Sequence, residues 1–228
     1  MTSKTPVSLI LFILILVCIP ALQAQQKDFQ FWPSANVDLE LSKKLKLMLE
    51  EEVRVKENCT QMERQINDLG VGYKINNFFR VALFYRIEAN WKTYDDYRWK
   101  QGFYADMALK QTTGRFILRY RLRLQSSRIE FNSNEDNLLS NFVNRHKFIV
   151  AYNIQNRPLT PFIEEEVFLN SVSHQLELIN NRTWIGISYS PGKIHEFSLK
   201  YGIDRERLVP DPLTSFIIAI NYKLNLKL

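Results

Sequence analysis

A chain of 228 residues with a formal net charge of +6, in which acids and bases interleave throughout, has no block of one sign that would mark a nucleic-acid footprint. Of its two cysteines, Cys18 lies in an N-terminal apolar run, which leaves Cys59 alone in the remainder and excludes an internal disulfide scaffold.

Lys4 supplies a short positive region, Leu9 to Ile19 is unbroken apolar sequence ending at Pro20, and Ala21-Leu22-Gln23-Ala24 provides small residues before a polar stretch. That order predicts a signal peptide over residues 1–24. The apolar run is also shorter than the ~20 residues a helix needs to cross a bilayer. Val17 before Cys18 and Ile19-Pro20 after it make a poor lipidation site. Residues 25–228 then form a single domain, and an exported chain points away from nucleic acid and towards the cell envelope.

From Val37 on, apolar residues recur at every second position, the period of a strand. Val37, Leu39 and Leu41 begin the series, and Leu45, Leu47, Leu49, Val53 and Val55 continue it. Asp38 to Leu69 is rich in helix formers, but its apolar spacing fits period two better. Glu51 is a blemish on that apolar face, which a bulge could re-aim. Then follow Leu69 to Ile75, Phe79 to Trp91, Phe103 to Leu109, Phe116 to Leu124, Phe148 to Ile154, and a less regular Phe162 to Leu169. Ile185 to Tyr189, Phe197 to Ile203 and Phe216 to Leu226 complete about eleven segments, most of them long enough to cross a bilayer when tilted. An even strand count is the rule for single-chain bacterial barrels. The expectation is therefore about twelve strands, with Phe29 to Trp32 as an additional one despite Pro33.

Short connections at Ser42-Lys44, Asn76-Asn77, Thr112-Gly114, Gln155-Pro161 and Ser190-Lys193 alternate with longer polar stretches. Those are Glu57-Gln65, Lys92-Arg98, Ser127-Asn141, Ser171-Gln175 and Asp204-Leu213. Such alternation suits periplasmic turns and external loops. Trp91, Tyr94, Tyr97 and Trp99 gather round one of the longer stretches, and Trp32 lies near the mature start, as aromatic rings do at a membrane boundary.

Opposite the apolar face, each segment carries charge. Arg119, Arg121 and Arg123 alternate with Phe116 to Leu124; Arg86 and Glu88 flank Ile87; Glu50, Glu52 and Arg54 share one face, as do Glu164 and Glu166. A soluble barrel would turn these charges outward. Segments this long, only seven glycines and an alternating final strand favour the inverted arrangement, an all-β antiparallel transmembrane barrel with these ten residues lining its lumen. That final strand resembles the assembly signal of barrel proteins, although it ends in Leu228 and not an aromatic.

The segments FFRVALFYRIE (Phe78 to Glu88), EEEVRVKEN (Glu50 to Asn58), RFILRYRLRLQ (Arg115 to Gln125) and PFIEEEVFLN (Pro161 to Asn170) carry a family likeness. With Phe31-Trp32, RTWIGISYS (Arg182 to Ser190) and the final strand, the mature chain resembles an exported bacterial family known as domain of unknown function 2490. The resemblance implies an outer-membrane barrel and brings no ligand, reaction or functional residue.

No catalytic, metal or cofactor site is expected. His195 and Ser198 fall on opposite faces of one strand, and a triad would need residues from several strands. His146, His174 and His195 lack ligand spacing. If the lumen arginines pair with glutamates they plug the barrel; if they do not, they favour anionic solutes in a channel. The expectation is an outer-membrane barrel surrounded by lipid, with a charged and partly plugged lumen and a structural, transport or surface-interaction role. Its alternatives are a small anion channel, a barrel lipid hydrolase and a soluble periplasmic ligand-binding barrel.

Overall fold

The computed structural model describes residues 26–93, 96–126, 129–130, 142–172 and 175–228. The predicted signal peptide, residues 1–24, and His174 lie outside the described residues, as does most of the 127–141 connection. Every regular element described is a strand: β1 (Gln26–Glu40), β2 (Leu45–Lys56), β3 (Gln61–Lys74), β4 (Phe79–Thr93), β5 (Asp96–Thr113), β6 (Phe116–Ser126), β7 (Ile129–Glu130), β8 (Phe142–Tyr152), β9 (Leu159–Val172), β10 (Gln175–Tyr189), β11 (His195–Glu206) and β12 (Leu213–Lys227).

Successive strands pair antiparallel, with β6 passing to β8, and β12 returns to β1 to close the barrel. The two-residue β7 touches only Lys100 and Gln101 of β5, so the wall has eleven strands, not the expected twelve. With an odd number of up-and-down strands the first and last run the same way. Closure is accordingly parallel, in unbroken register from Gln26↔Leu213 to Glu40↔Lys227.

The missing twelfth strand has a local cause. Phe29 to Trp32 is the first half of β1, which runs on through Pro33 into Val37 and Leu39. A proline has no N–H to give a ladder and is tolerated where a pairing can be omitted. Pairing of β1 with β2 stops at Phe31↔Val55 and resumes in the same register at Ser34↔Glu52, while β12 pairs straight past Pro33.

The alternation of connection lengths is also corrected. The β2–β3 connection is only residues 57–60, and β4 and β5 are separated by residues 94–95. At 61–65, 92–93, 96–98 and 171–172 the polar stretches taken for loops are strand ends, whereas 207–212 remains a connection. Backbone pairing continues there beyond the apolar band, because a ladder is indifferent to side-chain polarity. Of the aromatics expected at a boundary, Trp91, Tyr97 and Trp99 sit on β4 and β5, their rings linked at 6.0 and 5.9 Å between centroids, and Tyr94 lies outside the described residues.

Period two sorts the side chains. Outward stand Leu49, Leu69, Leu83, Phe103, Phe148, Ile163, Ile185 and Leu199, all more than half exposed. Inward stand Asp38, Asp68, Arg86, Glu88, Asp106, Arg123, Glu164, Glu166 and Arg182, all buried. Buried apolar residues are few; Trp32, Trp184, Ile217 and Ala219 form one small cluster, and Phe84 stacks on Tyr104 apart from it. Gly202 makes room for the cluster: a Cβ there would lie 2.2 Å from the Trp184 ring. The Asp38–Leu69 stretch is strand throughout its regular part, and Glu51 remains on the outer face, accepting a hydrogen bond from Gln65 Nε2 at 2.8 Å. The bulge in the β2–β3 ladder falls at Arg54/Val55, too far along to turn Glu51 inward.

Candidate functional site: a charged septum across the lumen

The lumen is crossed by alternating cations and rings. The Arg54 guanidinium stands 3.7 Å from the Trp32 ring centroid and Arg182 stands 4.7 Å from it. Arg182 is also 5.1 Å from the Phe168 ring, and Arg145 is 4.5 Å from that ring. The column thus runs from β2 through β1, β10 and β9 to β8, which the strand order places on the far side of the barrel from β2. Stacking a guanidinium on an aromatic face is favourable because the ring's negative quadrupole meets the charge, the more so away from water.

Carboxylates hold the column in place. Glu52 pairs with Arg54 at 2.6 Å, Asp204 with Arg182 at 2.7 Å, and Glu166 with Arg145 at 2.9 Å. Trp32 is fixed in turn, its Nε1 donating to Gln30 Oε1 at 2.9 Å and its ring meeting Trp184 edge-on at 5.8 Å.

A second arm rises from β3 to β6. Arg86 donates to both oxygens of Asp68 at 2.7 and 2.6 Å, and Tyr104 Oη donates to Asp68 Oδ2 at 2.8 Å. Arg123 covers the Tyr104 ring at 3.7 Å and grips both oxygens of Asp106 at 2.7 and 2.8 Å. Two-pronged arginine–carboxylate contacts are the strong, oriented kind of ion pair. Towards the turn end, Asp38 joins β2 to β12 across the closure seam through Lys46 at 2.9 Å and Lys223 at 2.6 Å.

All ten residues expected to line the lumen are on inward positions of their strands. Glu166 is 1% exposed and draws Arg121 at 2.6 Å besides Arg145, with Lys147 at 3.7 Å. Glu164 takes Lys147 at 2.6 Å, and Glu88, 0% exposed, faces Arg64 at 3.4 Å. Glu50 and Arg119 line the turn-end cavity and form no ion pair among the described residues. Arg123 joins Asp106, not one of the glutamates, because β5 and β6 are neighbours in register at Asp106↔Arg123.

Trp32, expected at a membrane boundary, is instead buried in the lumen, because β1 turns it to the same face as Gln30 and Ser34. Sequence reasoning passed over Asp68, Tyr104, Asp106, Arg145, Lys147, Phe168 and Arg182. The alternation that exposed the arginines of β6 would have picked out Asp68, Asp106, Arg145 and Lys147 by the same parity. The same parity sets Phe168 with Glu164 and Glu166 and Trp184 with Arg182; what no single strand shows is that Trp32 and Phe168 lie between arginines of other strands.

On either side of the septum lie a turn-end cavity of about 430 Å³ and a loop-end cavity of about 450 Å³. Trp32, Arg54, Arg86, Arg145 and Arg182 border both. The histidines take no part in it. His146 Nδ1 meets Tyr120 Oη at 2.8 Å and His195 Nδ1 meets Tyr222 Oη at 2.9 Å, both on the outer wall, while Ser198 lines the turn-end cavity. Among the described residues no group of histidine, cysteine and acidic side chains is arranged to hold a metal ion.

A closed, helix-free wall round a charged, braced interior defines the class: an all-β barrel with polar contents. Within it, the chain belongs to the family described as Protein of unknown function (DUF2490), which matches residues 29–207. The match covers β1 to β11 and stops short of β12. No curated protein and no solved structure matches the chain.

Proposed function

We propose that this protein is a β-barrel of the Gram-negative outer membrane, exported by the leader at residues 1–24, whose lumen is blocked by the charged septum. It serves a structural or surface-interaction role and not that of an open pore. One observation carries the proposal: the wall presents its large apolar side chains outward and holds its ion pairs inside. In water that arrangement exposes apolar area far beyond the patches a soluble monomer shows, whereas in lipid it is the stable one. The anion channel is disfavoured because Arg121 and Arg123 are engaged by Glu166 and Asp106, and the septum crosses the path between the cavities. No reaction is assigned to the chain.

The test is fractionation of expressing cells, followed by electrophoresis with and without boiling. The protein should remain in the outer-membrane fraction until detergent is added, and its unboiled form should migrate differently from the boiled one. Recovery in the soluble periplasmic fraction would overturn the proposal.

A further inference from the structure

The septum is electrically two-sided. Three of the carboxylates that pair with its arginines, namely Glu52, Asp68 and Glu166, line only the turn-end cavity. The loop-end cavity therefore has a floor of guanidinium groups from Arg54, Arg86, Arg145 and Arg182. Arg64 and Lys100 add to its walls, and Glu63, Asp204 and Glu206 are its acids. Arg64 is held by Glu63 and Glu88, and Arg182 by Asp204. The positive side therefore arises from the orientation of the Arg54–Glu52, Arg86–Asp68 and Arg145–Glu166 pairs, whose carboxylates line only the other cavity. A cavity walled by low-dielectric protein focuses such an imbalance into a field that attracts anions. Its volume of about 450 Å³ falls in the range of small-molecule sites, roughly 300–1,000 Å³. Gln30, Gln125, Ser126, Asn180 and Ser215 add hydrogen-bonding groups to the same wall.

The geometry points to a binding site in the loop-end cavity for a small solute that carries a phosphate or carboxylate and hydroxyl groups, such as a sugar phosphate. Guanidinium groups match these oxyanions two oxygens at a time, and the amides and hydroxyls of the wall match the solute's hydroxyls. The solute enters from the loop end, because the septum bars the other side. This inference rests on the septum being closed, not on where the barrel resides.

The experiment is calorimetric titration of the full chain, folded in detergent, with inorganic phosphate and separately with a hexose monophosphate. Both should bind at one site, the sugar phosphate more tightly, and added salt should weaken both. Lys100→Gln removes a wall cation that takes no part in the stacked column, and it should weaken binding by about tenfold, as loss of one charge-assisted hydrogen bond does. Arg119→Gln, in the turn-end cavity, should leave binding unchanged. If Lys100→Gln does not fold, the wild type decides: bound sugar phosphate should protect the Lys100 amine from acetylation, read by mass spectrometry. Absence of binding by both probes, loss of binding in Arg119→Gln alone, or no protection of Lys100 would overturn the site. Fractionation tests the membrane assignment separately: a soluble chain that binds sugar phosphate sinks only that, and an outer-membrane chain that binds neither probe sinks only the site.

Discussion

Arg121 and Arg123 stand two residues apart on the inner face of β6, yet their loss should cost different amounts. Asp106 depends on Arg123, which holds both its oxygens at 2.7 and 2.8 Å; its other cation, Arg121, is 4.0 Å away. Glu166 has Arg145 at 2.9 Å and Lys147 at 3.7 Å in addition to Arg121. Removing one partner of a buried pair costs about 3–5 kcal/mol when the other is left alone. Arg123→Ala should reach that range, and its loss also bares the Tyr104 ring. Arg121→Ala should cost clearly less, since Glu166 keeps two cations. Urea midpoints of the two variants check the order, and equal midpoints would show that the lumen is too wet for pairing to matter. The arginine run was legible in the sequence because alternation is a property of the strand itself. Its partners were not, because the choice of Asp106 over a glutamate follows from the register between β5 and β6.

At the scale of the strand, the outer face of β6 offers a test of which side meets lipid. Leu118 is 45% exposed and points away from the lumen, between Phe116 and Tyr120 on the same face. If that face lies in a bilayer, Leu118→Arg should cost about 2–4 kcal/mol, with the penalty greatest near the midplane. Leu228→Arg, beyond the end of β12, should cost about 0–1 kcal/mol, as expected near the interface. Folding yield into lipid vesicles, read from the unboiled gel band, measures both. Equal yields would place the outer wall in water. Elsewhere on the outer wall, Glu51 of β2 and Glu165 of β9 each accept a hydrogen bond from a neighbouring strand, from Gln65 and Thr183 respectively. Those bonds offset part of the cost of taking a carboxylate from water.

For the whole molecule, the proposal that the septum blocks the lumen is read in conductance. Wild-type protein in a planar bilayer should pass no steady current. Trp32→Ala removes the ring between Arg54 and Arg182 and unseats the column at its centre, so it should open a conducting path. It should also destabilise the barrel, by about 3–5 kcal/mol for the loss of a buried aromatic. Steady current in the wild type, unchanged in the variant, would show that ions bypass the septum. The parallel seam bears on the same question, because Trp32 on β1 and Ile217 and Ala219 on β12 meet only once the last strand has joined the first. The contacts of Trp32 with β10 and β12 are thus completed only when the wall closes.

Period-two alternation by itself determined that the chain is built of long strands, which residues share a face, and that charge is segregated from apolar side chains. These are local properties, set by each strand's pleat and by the residues two places away. The tertiary structure alone decided the count of eleven, since whether Pro33 ends a strand or is carried through depends on β12 pairing past it. It also decided the septum. A column from Arg54 through Trp32, Arg182 and Phe168 to Arg145 joins residues far apart in the chain, brought together by the register of neighbouring strands and the circumference of the closed wall. Neither quantity is written in any single strand, because both arise only when the sheet curls round and the first strand meets the last.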